Sequence, residues 1–524
     1  MQENRHPTFS LQRLNETELA LFAQLLSVVV HPGDVIALEG DLGAGKTTFA
    51  RAFIRAFLGE REEEIPSPTY TLVQTYQTPR MNIAHFDLYR LGDPDELLEL
   101  GLEHALGVGV AVVEWPCRAG DLLGQDRLVL KLSNPAENTI PADERAQDVL
   151  ETRDIQVIGL GSWDVRSRRL GAMQELIVKS GCWKNLESIT YLAGDASARR
   201  YARLNGKDGS RALVMDWPQV IDKKTLRGGR TYNQLAHIAD NVAPFVAIAN
   251  ALSSEGFSAP RVLGADIDNG LLVLEDLGDQ VFINVVDNSL PMRELWRAAT
   301  DTLVALRTVP VPETVAVSPG HEIKLAHFDR DAMTIELELL ADWYWPLVHN
   351  APMPQGMRTQ FSRVWHDVIS RLCEEPRFWC LRDYHSPNLV WMAERSGVTR
   401  VGLIDFQDAV AGPAAYDLVS LLQDARVDVP INIEAEMLDH YCQAVSGREP
   451  AFDREAFVFG YGALGAQRNT KILGIFARLA QRDQKKHYLA HFPRIWGYLE
   501  RNLQHPDLST LANWYEKAFK KEKC

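Results

Sequence analysis

Long apolar runs are missing from this 524-residue sequence, and none approaches the roughly 20 residues that a membrane-spanning helix needs. No membrane anchor is expected. The first residues, Met1-Gln-Glu-Asn-Arg-His-Pro7, lead into no apolar signal segment, which argues against secretion and for the cytoplasm. Cysteine is scarce and scattered. Its six positions (Cys117, Cys182, Cys373, Cys380, Cys442 and Cys524) contain no Cys-x-x-Cys pair, so neither a disulfide framework nor a zinc site is suggested. Positive charge is short as well: 55 Lys and Arg against 70 Asp and Glu leave a net charge of -15, which opposes broad attachment to nucleic acid. Any role on RNA would then run through protein partners. What is plentiful is ordinary globular material, 46% hydrophobic and 24% charged, in a chain longer than one hydrophobic core serves. Two or three domains are expected.

The most specific motif comes early. A short strand over Val35 to Glu39 runs into Gly40-Asp-Leu-Gly-Ala-Gly-Lys-Thr-Thr48, which opens a helix through Phe57. This is a full phosphate loop in its strand-loop-helix setting. Gly40, Gly43 and Gly45 let backbone amides face phosphates, and the helix N-terminus around Lys46, Thr47 and Thr48 adds its positive end. Lys46 meets the outer phosphates and Thr47 ligates magnesium. Before it, Asn15-Glu-Thr-Glu18 ahead of Leu19, Phe22, Leu25 and Leu26 reads as the cap and first turn of an amphipathic helix. The loop also needs an acid at a neighbouring strand end to complete the magnesium shell. Two follow. A strand over Tyr70 to Gln77 turns at Thr78-Pro-Arg80 and returns through Asn82 to Phe86 to Asp87, and a buried-type strand over Val110 to Val113 ends at Glu114.

These residues, with Ser67-Pro-Thr-Tyr70, His85-Phe-Asp-Leu-Tyr-Arg-Leu91 and Glu114-Trp-Pro116, resemble the ATPase subunit of the bacterial tRNA threonylcarbamoyladenosine system, the TsaE family. The resemblance covers about the first third of the chain. It implies a small P-loop fold that hydrolyses ATP while bound to partners of the TsaB and TsaD type, with tRNA met only indirectly. By that likeness Glu114 completes the magnesium site, Asp87 supports hydrolysis, Ser67 to Tyr70 form a switch segment, and Trp115 packs near the nucleotide. Strands over Leu128 to Leu132 and Ile155 to Ile158 follow, separated by a polar loop from Ser133 to Glu144. Gly159-Leu-Gly161 lacks the third glycine of a dinucleotide site, because Asp164 stands there, and reads as a turn. The charged run Asp164 to Arg169 is expected as the domain boundary, giving domains 1–168 and 169–524.

The second half is organised around Leu381-Arg-Asp-Tyr-His-Ser-Pro-Asn-Leu-Val390 and Gly402-Leu-Ile-Asp-Phe-Gln-Asp408. Two apolar runs, Asn388 to Met392 and Val401 to Phe406, read as paired strands. Phosphoryl transfer from ATP needs a carboxylate to take the attacking hydroxyl's proton, and an amide plus a second carboxylate to hold magnesium on the phosphates. Asp383, Asn388 and Asp405 fit those roles in that order. A polar turn and a strand-ending acid are the bland alternative. Upstream, Tyr191 to Leu204 followed by Ala212 to Met215 fits a hairpin arching over ATP. Leu271-Leu-Val-Leu-Glu-Asp-Leu-Gly278 suits the hinge whose backbone, at Glu275 and Leu277, would bond adenine. Helical periodicity dominates from Leu295, around Met333 to Leu347, Met357 to Leu372 and Ile433 to Val445.

Together these segments resemble the aminoglycoside phosphotransferase superfamily of kinase-like folds. Asp195-Ala-Ser-Ala-Arg-Arg-Tyr201, Val214-Met-Asp-Trp-Pro218, Ile404-Asp-Phe-Gln-Asp-Ala409 and Gly474-Ile-Phe-Ala-Arg-Leu479 look like its anomeric N-acetylmuramate/N-acetylglucosamine kinases, the AmgK type. The implied fold class is α/β: an N-terminal P-loop NTPase domain followed by a bilobal protein-kinase-like α+β domain. Ser197 and Arg199 join the nucleotide-binding candidates, with ATP and magnesium as cofactors. Two departures stand out. The strand Leu213-Val-Met-Asp216 lacks the lysine that contacts ATP phosphates, leaving Arg199, Arg200 or Lys207 to supply charge, and Leu381 replaces the usual His of His-Arg-Asp, which predicts looser loop packing. The resemblance implies a bifunctional fusion of a tRNA-modification ATPase and an amino-sugar kinase of peptidoglycan recycling. The alternatives are a P-loop domain that only regulates the kinase, or a non-catalytic nucleotide-binding second domain. On the acceptor side stand Arg382, Gln407 and a basic stripe of Arg468, Lys471, Arg478 and Arg482 on one face of a helix, whose other reading is a solvated face.

Overall fold

The computed structural model describes residues 6–59, 64–135, 152–192, 199–219, 224–286, 288 and 290–519. The chain forms two compact units, Met1–Pro218 with Leu263–Asp276, and Gln219–Val262 with Leu277–Cys524.

The first unit holds two sheets. In the seven-stranded one the spatial order is Phe9–Leu14, Arg153–Leu160, Arg127–Ser133, Val35–Glu39, Gly109–Glu114, Asn82–Asp87 and Val73–Tyr76. Its central strands are parallel and the flanking pairs antiparallel. Parallel strands are covered on both faces, so they read as continuous apolar runs, and Gly109–Glu114 is buried at every residue. The expected cap is a full capping box: Asn15 accepts from the Glu18 amide, and Glu18 reaches back to the Asn15 amide. One strand is shorter than expected. Pairing begins at Val73, because Leu72 takes φ 63° and its N–H and C=O go to Pro68 and Asp87, closing a turn where Tyr70 to Leu72 were read as strand.

The second sheet has the order Val262–Asp266, Leu271–Glu275, Arg211–Asp216, Arg200–Gly206, Leu186–Leu192. One hydrophobic core runs through both sheets of this unit: Phe22, Phe53 and Leu130 belong to the same buried cluster as Ile189, Leu204, Val214 and Val273. The charged run expected as the domain boundary lies within a helix. Asp164 to Arg169 lie in Trp163–Lys179, where Arg166 pairs with Asp34 and Arg169 with Asp216, so a boundary at 168/169 falls inside a regular element. Three arginines, Arg80, Arg166 and Arg200, converge on the last carbonyls of the helix Glu16–Val29, which contains no basic residue in its own last turn.

The second unit is mainly helical around Arg454–Arg482, a 29-residue helix buried along most of its length. Neighbours approach it closely at Gly474, where a Cβ would collide with the Leu339 backbone. The expected helical runs appear as Gln355–Glu374 and Ile431–Ser446, and as Arg330–Leu339 continuing through a π turn at Leu340–Tyr344 into Trp345–His349. A hairpin, Thr314–Ser318 with His321–Lys324, interrupts the stretch read as helical. Leu389–Trp391 pairs antiparallel with Val401–Leu403, shorter than expected because Asp405 leaves extended backbone at φ 60°. Among the described residues no helix is long and apolar enough to cross a membrane, and the five described cysteines are free.

Candidate active sites

The first site lies at the carboxyl ends of Val35–Glu39, Gly109–Glu114 and Asn82–Asp87. Gly40, Gly43 and Gly45 take φ of 145°, 81° and 97°, and a Cβ on Gly40 would collide with the Leu132 carbonyl. This backbone turns its amides into one cradle, as phosphate binding requires. Lys46 Nζ donates to the carbonyls of Gly40 (2.9 Å) and Asp41 (2.8 Å) and lies 3.7 Å from the centre of the Trp115 ring. Burial lowers its pKa, opposed by the carboxylates of Glu114, Asp87 and Asp41. Thr47 Oγ1 donates to Glu114 Oε2 at 2.9 Å, so the two expected magnesium ligands touch. Asp87 has a different job. Its Oδ2 accepts from Thr69 (2.9 Å) and Ser67 (3.3 Å), so it ties down the segment Ser67 to Tyr70, whose Tyr70 ring is 82% exposed.

Two groups here escaped the sequence. Buried His85 bonds Glu114 Oε1 through Nε2 at 2.9 Å and orients that carboxylate; its signal was its place at the head of the motif His85 to Leu91, which gave it no role. Arg153 lies across the loop, Nη2 3.5 Å from the Gly43 carbonyl, and nothing in the sequence tied it there.

The second site is the loop between Arg377–Cys380 and Leu389–Trp391. Asn388 Nδ2 donates to the Asp383 carbonyl (3.0 Å) and toward Asp405 Oδ2 (3.4 Å), bringing the three expected residues together. Gln407 donates to Asp405 Oδ1 at 3.2 Å, placing it as a brace for that carboxylate. The looser packing expected from Leu381 is absent. The buried Asp417 carboxylate takes the amides of Leu381 (2.6 Å) and Arg382 (2.8 Å), fixing the loop without the histidine. Burial pushes the Asp417 carboxyl up to about 7 despite those donors. Arg382 is engaged with the scaffold: its guanidinium binds the Ala236 and His237 carbonyls and the buried Glu336, in place of the acceptor contact expected of it. Lys471 Nζ reaches the same Glu336 at 2.7 Å. Burial opposes charge on Asp383, but His385, Lys471, Arg382 and Arg468 hold its carboxyl below the ordinary carboxylate value.

The basic stripe divides. Arg468 is buried and Lys471 mostly covered beside Asp383, so neither is a solvated face, whereas Arg478 sits 5.6 Å from the Tyr232 ring centre and Arg482 pairs with Asp483 in solvent. Glu336, Asp417 and His385 were missed by the sequence reading, the first two because acids inside helices carry no local motif.

For the nucleotide side, Ser197 lies outside the described residues. Arg199 sits over Trp217 at 4.8 Å, while Arg200 bonds His31 and lies 3.6 Å from Asp216. Lys207 follows the far end of the strand Arg200–Gly206, about 26 Å along the extended chain from Arg199. Glu275 ends a strand of the first unit and Leu277 opens the second, packed on Val390 and Met392. No cluster of three or more His, Cys, Asp or Glu suited to a metal exists among the described residues. Both sites offer instead a mixed set, Thr47 with Glu114 and Asn388 with Asp405, which fits a magnesium ion that takes most of its ligands from phosphate and water.

Fold and sites define a two-part enzyme, a P-loop nucleotide hydrolase joined to a kinase-like phosphotransferase. The comparisons agree with each part. Residues 13–144 match the family model described as threonylcarbamoyl adenosine biosynthesis protein TsaE, and residues 188–457 match the phosphotransferase enzyme family. The chain is 37% identical over 335 residues to the N-acetylmuramate/N-acetylglucosamine kinase of Caulobacter vibrioides, covering 62% of this chain and 90% of that protein. It is 31% identical over 347 residues to the kinase of the same name from Pseudomonas aeruginosa, covering 65% and 91%. Over 101 residues it is 46% identical to the tRNA threonylcarbamoyladenosine biosynthesis protein TsaE of Rickettsia typhi, covering 19% and 69%. The chain belongs to the phosphotransferase enzyme family and carries a TsaE-family domain at its N-terminus.

Proposed function

We propose that the chain is bifunctional, with one activity in the part matched over residues 13–144 and the other in the part matched over residues 188–457. The first part hydrolyses ATP in support of threonylcarbamoyl transfer to adenosine 37 of tRNA, acting with partner proteins of the TsaB and TsaD type and meeting tRNA through them. The second uses ATP to phosphorylate the anomeric hydroxyl of N-acetylmuramate or N-acetylglucosamine in the cytoplasm, as part of cell-wall recycling. The observation that carries this reading is the presence of two separate sets of phosphate-handling residues, Lys46, Thr47 and Glu114 in one and Asp383, Asn388 and Asp405 in the other.

At the second site Asp383, held ionised by the surrounding positive groups, takes the proton of the acceptor hydroxyl as its oxygen attacks the outer phosphorus of ATP. The P–O bond to the leaving ADP breaks with its electron pair. Asn388 and Asp405, braced by Gln407, would hold magnesium, which neutralises charge on the phosphates. At the first site Thr47 and Glu114, oriented by His85, would hold the metal while Lys46 and the loop amides bind phosphate. Asp87 supports hydrolysis by fixing the Ser67 to Tyr70 segment.

A panel of amino sugars with ATP, followed by identification of the phosphorylated carbon, tests the kinase reading; phosphate on any carbon but C1 would reject it. The core shared by the two sheets of the first unit favours one other reading, in which the P-loop domain regulates the kinase without a tRNA role. Co-purification with tRNA-modification partners separates the two.

A further inference from the structure

Two buried donors beside Asp383 have no partner. Arg468 keeps 6% of its surface exposed, and its Nη1 makes no hydrogen bond. His385 is 9% exposed, its Nε2 lies 3.2 Å from Arg426 Nη1, and its Nδ1 makes no hydrogen bond. A guanidinium has only donors, so Nε2 must accept and the ring proton sits on Nδ1. That makes Nδ1–H a second orphan donor. Burial holds the imidazole pKa below its ordinary value, opposed by the carboxylates of Asp424 and Asp383.

The other cations of this region are engaged. Glu336 binds both Arg382 and Lys471, and Gln467 donates to its remaining oxygen at 2.9 Å. Arg468 acts electrostatically on Asp383, His385 and Tyr416, whereas Asn388 bonds Asp405 at the metal pair. An unpaired guanidinium in a buried site is costly unless an anion arrives during function. A carboxylate offers two oxygens to two donors and binds arginine through charge-assisted hydrogen bonds. N-acetylmuramate carries such a group on its lactyl ether; N-acetylglucosamine has a hydroxyl there.

We infer that Arg468 and His385 form a carboxylate subsite that recognises the lactyl group of N-acetylmuramate and sets the preference between the two sugars. The inference rests on the amino-sugar reading of the acceptor. It deepens that reading by assigning the discriminating contact to two side chains rather than to the whole basic stripe.

The test uses the full-length protein and compares kcat/KM for the two sugars. Arg468→Ala should lower the N-acetylmuramate to N-acetylglucosamine ratio about 10- to 100-fold, the size expected for a charge-assisted hydrogen bond, and Arg468→Lys should restore part of it. A general loss of fold or turnover lowers both constants and leaves the ratio alone. The methyl ester of N-acetylmuramate gives the same answer without altering the protein. It should be a poor substrate for the unmodified enzyme and lose nothing further with Arg468→Ala. An unchanged ratio, or an equal loss of kcat on both sugars as expected if Arg468 served the transferring phosphoryl group, overturns the subsite and leaves the kinase reading standing. An unmodified protein that phosphorylates neither sugar overturns both.

Discussion

The P-loop site and the kinase site solve the same problem, holding phosphate and metal, with different materials. The first uses backbone amides of one continuous loop, Gly40 to Thr48, and needs few side chains from elsewhere: Glu114, His85 and Asp87 from adjacent strand ends. The second uses side chains held by buried acids from distant helices, with Asp417 gripping the loop amides and Glu336 binding Arg382 and Lys471. A site built from backbone is written in one short motif and tolerates change around it. A site built on buried ion pairs depends on residues that touch neither substrate nor metal.

The sharpest way to break this contrast is through the metal ligands. Asp405→Asn should lower sugar phosphorylation by orders of magnitude, about 10²- to 10⁴-fold, while hydrolysis at the P-loop persists. Turnover unchanged in this variant would reject the assignment. Next, Glu336→Ala leaves the buried Arg382 and the mostly covered Lys471 without their anion and should destabilise the second unit by about 3–5 kcal/mol, read as a lower urea midpoint. Lys46→Ala, which removes no charge partner from the second unit, should barely move that midpoint. The Glu336 contribution also has a pH signature. Burial opposes its charge, but Lys471 and Arg382 outweigh burial and depress its pKa below the unfolded value. Its stabilisation is therefore complete above the unfolded value of about 4.3 and is lost as pH falls through the folded value. Glu336→Gln should flatten that part of the acid stability profile.

At the P-loop, Glu114→Ala should slow hydrolysis about 10- to 100-fold at low magnesium, with partial rescue by excess magnesium. Full activity at low magnesium would leave Glu114 a structural role only. The smallest effect concerns the missing lysine: Arg199→Ala should raise the KM for ATP severalfold in the kinase assay, and Lys207→Ala should not alter it. Equal effects would mean that position along the strand Arg200–Gly206 does not decide which cation meets the phosphates.

The same difference in materials explains what could be read from the sequence. Lys46, Thr47, Asp383, Asn388 and Asp405 lie in short patterns whose spacing is fixed by loop and strand geometry, so they were visible as residues with roles, whereas Glu114 and Asp87 both end strands and only the family resemblance told them apart. Glu336, Asp417 and His385 were not visible, because their partners are set by tertiary packing that local spacing does not encode. Arg382 shows the hazard directly: beside the catalytic aspartate in sequence, it turns at φ 68° into the scaffold. The charged run at Asp164 to Arg169 shows a second one, since clustered arginines read as a solvated face at a domain boundary until Asp34 and Asp216 appear opposite them. The stripe on Arg454–Arg482 was legible as one face, but its burial was not, because a helix at the centre of a unit is covered on its polar side as well.

The central claim is that one chain carries two phosphate-transfer sites that work separately, and paired loss-of-site variants of the full-length protein test it most directly. ATP hydrolysis in the presence of the tRNA-modification partners and sugar phosphorylation in their absence would be measured for Lys46→Ala and Asp383→Asn. The account predicts that Lys46→Ala loses hydrolysis and keeps sugar phosphorylation, and that Asp383→Asn does the reverse. Loss of both activities in either folded variant would contradict it.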